Sequence, residues 1–200
     1  MAEVIKRAKL RRLRERPGVP KRKPGKREKG RKWRGFFTET RATPLADELA
    51  RSRQTAPPRA PGHVPLVESG VLAFRREADG EPLVLLISKK RSKKWGIPKG
   101  RIPGHLSFPE SAAREAFEEA GVVGYVSPSS IGMFRAEKSS ATLPTKQIIE
   151  VWVYLLEVTE ALTDWPEKGK RATRWVSCEV AARHLREPVL THLCHRLAQG

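Results

Sequence analysis

From Leu66 onward, apolar residues come in short dense runs separated by turn residues; before it they are scattered among lysines, arginines and prolines. Ser69 to Phe74 ends in Val71-Leu72-Ala73-Phe74 and predicts a strand, and Leu83 to Ile87 (LVLLI) predicts a second. Asp79-Gly80 is a turn signal between them, so the pair reads as a hairpin. Ile131 to Phe134 is a short apolar segment, and Ser139 to Lys146 is polar and reads as a loop. Ile148 to Val158 (IIEVWVYLLEV) is the longest strand candidate, and Arg174 to Val176 is a further short one. Glu179 to Leu185 and Val189 to Leu197 carry helical patterns interrupted at Pro188. A third helix is marked at both ends. Ser107 with Glu110 three residues on forms a capping box, Pro109 is tolerated in the first turn, and Gly121 suits the C-terminal stop. Its Ala113, Ala116 and Ala120 make a small-residue face able to seat closely on a sheet. Strands interleaved with helices, a hairpin among them, predict an α/β fold with a mixed sheet between helical layers.

The first 62 residues do not share this pattern. Met1 to Arg16 has Val4, Ile5, Ala8 and Leu13 loosely on one side of a transient basic helix. Residues 17 to 32 are broken by Pro17, Gly18, Pro20, Pro24, Gly25 and Gly30, and residues 54 to 65 are rich in proline and read as a linker. The run from Lys21 to Arg34 has almost nothing to bury, so burial cannot offset the entropy of ordering it. The expected organisation is therefore a basic extension and linker, 1–62, before a folded domain, 63–200.

Charge sharpens that division. The formal net charge is +18; residues 1–62 carry 20 Lys and Arg against 6 Asp and Glu, a net of +14, and the other 138 carry a net of +4. Residues 1–34 are thus a candidate contact for nucleic acid or another polyanion, with solubilisation as the simpler role. Trp33, Phe36 and Phe37 suit either docking on the domain or stacking on nucleobases. No apolar run approaches the roughly 20 residues of a membrane helix, and the start of the chain lacks a secretory signal, so a cytoplasmic protein is expected. Cys178 and Cys194 are far apart, without CxxC spacing, and read as reduced structural thiols. His192 and His195 have no third ligand nearby in sequence and read as surface residues.

Candidate chemistry concentrates around the third helix. Glu115, Glu118 and Glu119 lie at i, i+3 and i+4 and so project from one helix face. Three carboxylates there repel one another unless a cation neutralises them, and hard divalent ions such as Mg²⁺ take carboxylate oxygens while keeping positions open for water and phosphate. A solvated acidic face is the ordinary alternative. Just upstream, Lys89-Lys90-Arg91-Ser92-Lys93-Lys94 places five positive charges in six residues, and Lys99 and Arg101 follow. Lys89, Arg91, Lys94, Lys99 and Arg101 are candidates for a phosphate-facing rim. Glu150, inside the longest strand, is ordinary if it points outward, and a candidate water activator or ligand if it points towards the helix.

Residues 100–122 resemble the Nudix box: a Gly, five residues, a Glu, seven residues, then Arg-Glu-apolar-x-Glu-Glu-x-Gly-apolar. Gly100 and the run Arg114 to Val122 fit, and Trp95 to Gly100 resembles the lead-in strand and loop. One position departs, since Leu106 stands where the family has its first Glu, a residue that supports the box partly by pairing with the Arg. The resemblance covers about residues 64–198. It implies a Nudix-type α/β/α sandwich with the box as a loop–helix–loop, and hydrolysis of a diphosphate linkage with Mg²⁺ or Mn²⁺. Glu115, Glu118, Glu119 and the Gly100 carbonyl would be metal ligands, Arg114 would orient the carboxylates, and Glu115 or Glu150 would be the general base. WGIPKGR, REAFEEAGV and the later DWPEKGKRATRW resemble the branch that contains diphosphoinositol polyphosphate and dinucleoside polyphosphate hydrolases. A small phosphorylated substrate is thus expected. The alternatives are an RNA 5′-end pyrophosphohydrolase that uses the basic extension, and a weakly active scaffold that binds nucleic acid.

Overall fold

The computed structural model describes residues 39–51, 65–90, 92, 94–138 and 147–200. In chain order these form β1 (Glu39–Thr40), α1 (Pro44–Arg51), β2 (Leu66–Arg76), β3 (Pro82–Lys89), β4 (Lys99–Arg101), α2 (Phe108–Ala120), β5 (Val122–Val126), β6 (Gly132–Lys138), β7 (Gln147–Ala161), β8 (Arg171–Ser177), α3 (Cys178–His184) and α4 (Pro188–Gln199). The sheet runs β1-β5-β7-β2-β3-β8, with β4 paired to β2 and β6 to β7. β2 lies parallel to β7 and β1 to β5; the other pairings are antiparallel.

Period-two alternation builds the two layers. In β2, Leu72 and Phe74 face one side with Val84, Leu86, Val151, Val153 and Leu155, beneath α1, α3 and α4. Val71 and Ala73 face the other with Leu85, Tyr154 and Leu156, beneath α2. The α2 contact is made by Ala112, Ala113, Ala116 and Ala120, so the predicted small-residue face is the one that seats the helix. The expected α/β/α sandwich with a mixed sheet is the observed fold, and both cysteines are free and buried.

Four elements differ from the expectation. β4 is too short and too polar (Lys-Gly-Arg) to register as an apolar run, and the run of β5 (Val-Val-Gly-Tyr-Val) is interrupted by Gly124; both are held by neighbours in the sheet. The other two, β1 and α1, fall inside the predicted extension. β1 pairs with β5, and α1 buries Ala46 and Leu49 in the same core as Leu193 and Leu197. Eight residues with two buried side chains give little periodic signal. The start signal was nevertheless present: Thr43 accepts from the Ala46 N–H at 3.1 Å, and Pro44 follows as the first helical residue. The linker of residues 54–65 and the basic run from Lys21 to Arg34 lie outside the described residues, except Pro65.

Candidate active site

Helix α2 is fixed at both ends. The Ser107 N–H donates to the Glu110 carboxylate at 2.8 Å, the backbone half of the predicted box. At the other end Gly121 adopts φ 68°, a left-handed turn, and its N–H donates to the Phe117 carbonyl at 3.0 Å. A side chain there would collide with the Trp165 ring. The segment carrying Trp165 is tied down further: the Leu162 N–H donates to the Gly121 carbonyl (2.7 Å) and the Glu167 N–H to the Glu118 carbonyl (3.0 Å). The chain between β7 and β8 is thereby held against the end of the acidic helix.

The three helix carboxylates do not share one environment. Glu115 is half-buried against the backbone of β4, where a Cβ on Gly100 would sit 2.4 Å from its carboxyl carbon. With the carboxylate in this position, a side chain at residue 100 would have to push it aside. Burial, and then repulsion from Glu119 and Glu118, push the Glu115 carboxyl from 4.5 up to about 7. Glu119 is 6% exposed. It accepts from the Lys99 N–H at 3.1 Å and forms an ion pair with Arg171. Burial raises its pKa as well, and the Arg171 charge and the Lys99 N–H offset part of that rise. Glu118 turns the other way, into a two-point pair with Arg114, one turn back (2.9 and 3.2 Å). Arg114 thus finds within the helix the partner that Leu106, itself half-buried, cannot supply.

A cleft of about 620 Å³ opens beside this helix. Glu115, Glu119 and Gly100 line it, together with Lys89, Lys94, Lys99 and Arg101, four of the five predicted basic residues. The fifth, Arg91, lies outside the described residues. The loop that carries them is anchored by Ser88, whose hydroxyl donates to the Lys94 carbonyl at 2.8 Å. Trp95, Ile97 and Ile149 give the cleft an apolar wall. Lys99 lends its backbone N–H to Glu119 while its amine reaches the buried Glu68 at 2.7 Å.

Glu150 does lie on the α2 side of the sheet, alternating with Ile149 and Val151 on the other. It is 2% exposed, pairs with Arg135 at 2.9 Å, and is not among the cleft-lining residues. The cleft instead brings in charged residues that the sequence reading did not single out, Glu68, Glu137, Glu167 and Arg171. Glu167 and Arg171 stand on its wall, bonded to each other at 3.1 Å, and the Glu167 charge raises both Glu115 and Glu119. Their only signal was the DWPEKGKRATRW stretch, noted as a whole without roles for single residues.

The donor set suits a hard divalent cation at two of the predicted positions. Glu115 and Glu119 are adjacent, desolvated carboxylates whose ionised forms are disfavoured as they stand, and a cation relieves that cost. Among the described residues no three His, Cys, Asp or Glu side chains converge on one point, and Glu118 is engaged by Arg114.

A mixed sheet between helical layers, with a capped acidic helix against a glycine-containing strand and a basic cleft, defines the Nudix class, and the chain belongs to that family: the NUDIX domain model matches residues 67–195. It is 33% identical over 100 residues to Nudix hydrolase 12, mitochondrial, of Arabidopsis thaliana (49% of this chain and 49% of that protein). It is also 33% identical over 134 residues to diphosphoinositol polyphosphate phosphohydrolase 2 of Rattus norvegicus (64% of this chain and 69% of that protein). The chain spans about half the length of Nudix hydrolases 12 and 13 of Arabidopsis thaliana. Among solved structures, the E. coli dihydroneopterin triphosphate pyrophosphohydrolase aligns over 66% of this chain and 94% of that one, with a TM-score of 0.50 at 14% identity, a likeness of fold.

Proposed function

We propose that the chain is a metal-dependent hydrolase that cleaves a phosphoric anhydride bond in a small, highly phosphorylated molecule. A dinucleoside polyphosphate, a nucleoside diphosphate derivative and a diphosphoinositol polyphosphate are the substrates of choice. The observation that carries this reading is the juxtaposition in one cleft of desolvated Glu115 and Glu119 with Lys89, Lys94, Lys99 and Arg101. Cations alone would hold a polyphosphate; paired carboxylates beside them would repel it unless they serve a metal. Relatives named as Nudix hydrolases and as a diphosphoinositol polyphosphate phosphohydrolase support the same class.

In this reading Glu119, Glu115 and the Gly100 carbonyl hold Mg²⁺ or Mn²⁺, and Glu118 joins them on release from Arg114. The bound metal supplies charge neutralisation at the phosphate and a more acidic water. Lys89, Lys94, Lys99 and Arg101 draw in and orient the phosphates. Of the two carboxylates considered as general base, Glu115 fits better. It lines the cleft, whereas Glu150 is occupied by Arg135 and does not. The basic residues 1–34 leave a second substrate open, a 5′-triphosphorylated RNA, with a nucleic-acid-binding scaffold of low activity as the third reading. A cytoplasmic setting belongs to the same proposal, although relatives carry mitochondrial and chloroplastic names, and subcellular fractionation decides it. No helix among the described residues is long and apolar enough to cross a membrane.

The test is product formation, resolved by anion-exchange chromatography, from a panel of diadenosine tetraphosphate, ADP-ribose, a diphosphoinositol polyphosphate and 5′-triphosphorylated RNA, with Mg²⁺ and with Mn²⁺. Turnover confined to small substrates upholds the first reading. RNA turnover that falls with salt, by about 0.7 in logarithmic slope per phosphate contact, upholds the second. No turnover on any member, with retained RNA binding, leaves the scaffold.

A further inference from the structure

Arg171 opens β8 and lies on the cleft wall, its side chain 20% exposed. It makes an ion pair with Glu119 and donates through Nε to Glu167 at 3.1 Å. A carboxylate as enclosed as Glu119 cannot remain charged without a nearby cation, and here the guanidinium is that cation. The position is also the one a divalent ion would take. The Arg171 guanidinium sits on Glu119 Oε1 and the Lys99 N–H on Oε2, so both oxygens are engaged and an ion that takes Oε1 displaces Arg171 from it.

The displaced side chain does not leave the cleft. Glu167 still holds Nε, and Glu167 is itself fixed through its backbone N–H to the Glu118 carbonyl. The terminal nitrogens then face the cleft without their carboxylate, a planar pair of donors that matches two phosphate oxygens. Neither Lys89 nor Lys94 has this geometry, since an ammonium is a point charge.

We propose that Arg171 neutralises Glu119 whenever no metal is bound there and becomes a substrate-phosphate ligand once the metal displaces it. Divalent cation and polyphosphate therefore bind with positive coupling, each strengthening the other, because one release serves both. This rests on the reading that Glu119 holds the metal.

The experiment titrates Mn²⁺ into the whole chain by electron paramagnetic resonance, with and without adenosine 5′-(β,γ-methylene)triphosphate, in wild type, Arg171→Gln, Arg171→Lys and Glu119→Gln. Analogue affinity for the Mn²⁺-loaded protein is measured by calorimetry, and circular dichroism checks the fold. Arg171→Gln should bind Mn²⁺ alone at least about fivefold more tightly than wild type, and its Mn²⁺-loaded form should bind the analogue at least about tenfold more weakly, within the usual span of such couplings. Arg171→Lys keeps the charge but not the fork, so it should bind Mn²⁺ nearly as wild type and the analogue at an intermediate strength. It also serves if Arg171→Gln fails to fold. Unchanged or weaker Mn²⁺ binding in Arg171→Gln, with Glu119→Gln losing it, overturns the role of Arg171 and leaves the metal reading standing. Mn²⁺ binding indifferent to Glu119→Gln overturns both.

Discussion

Replacing Glu115 by Gln should stabilise the metal-free protein while removing its activity. The Glu115 carboxyl has 4.5 as its ordinary value and about 7 in the fold. At pH below 4.5 it is protonated in both the folded and the unfolded chain and contributes nothing. Between 4.5 and 7 the unfolded chain ionises first, and above 7 the folded chain bears the full penalty of a desolvated charge. Stability of the metal-free form therefore falls as pH rises through this window. A tenfold change in proton affinity is worth about 1.4 kcal/mol, so the full penalty is about 3 kcal/mol; solvent still reaching the half-buried group reduces it to about 1.5. Glutamine keeps the shape and removes the charge. For a chain of this size that is a gain of about 3–6 °C in Tm at pH 8, shrinking towards zero near pH 4.5. The assay is thermal denaturation in EDTA across pH 4.5–8, wild type against variant. With Mg²⁺ added the order should narrow or reverse, because wild type gains more binding energy from the ion. A variant no more stable than wild type at pH 8 in EDTA, or a gain that persists unchanged at pH 4.5, would refute the strained carboxylate and with it the account of why the site needs a cation.

Gly100→Ala should cost activity by at least about 10²-fold, since its Cβ would stand 2.4 Å from the Glu115 carboxyl carbon and must displace the carboxylate or β4; kinetics and Mn²⁺ affinity read it directly. Leu49→Ala should destabilise the domain by about 2–5 kcal/mol in urea denaturation, and a chain begun at residue 63 should melt lower than one begun at residue 36, because α1 packs in the core. A chain begun at residue 36 should keep kcat/KM on a small polyphosphate within a few-fold. Leu106→Glu should change activity by less than about tenfold, because Arg114 already has Glu118; a large gain would mean that the natural box is crippled at that position.

Legibility followed the length and strength of the local pattern. Helix α2 was readable because its cap, its alanine face and its glycine stop agree with one another. β2, β3 and β7 were readable because runs such as LVLLI and IIEVWVYLLEV bury both faces. β4 was not, because three residues held by Glu68, Ser69 and Gly70 carry no periodicity of their own. α1 was hidden by the basic composition around it, although Leu49 is 1% exposed. In the site, spacing put Glu115, Glu118 and Glu119 on one helix face; Glu115 and Glu119 line the cleft, and the turn of Glu118 to Arg114 left no mark in that spacing. Both orientations of Glu150 were open from its place in the strand, and its partner, Arg135, lies fifteen residues away on β6. Glu167 reaches the cleft through the backbone bonds that fold its segment onto α2, and Arg171 through the pairing of β8 with β3 opposite Lys89. Such contacts are long-range and leave no trace in local spacing.

The most direct test of the account is hydrolysis of diadenosine tetraphosphate and a diphosphoinositol polyphosphate by the full chain, in Mg²⁺, in Mn²⁺ and in EDTA, beside Glu119→Gln. The account predicts turnover of at least one substrate with either metal, none in EDTA, and a loss of at least about 10²-fold in the variant without loss of folded structure. Wild-type turnover by Glu119→Gln, or turnover that survives EDTA, would contradict it.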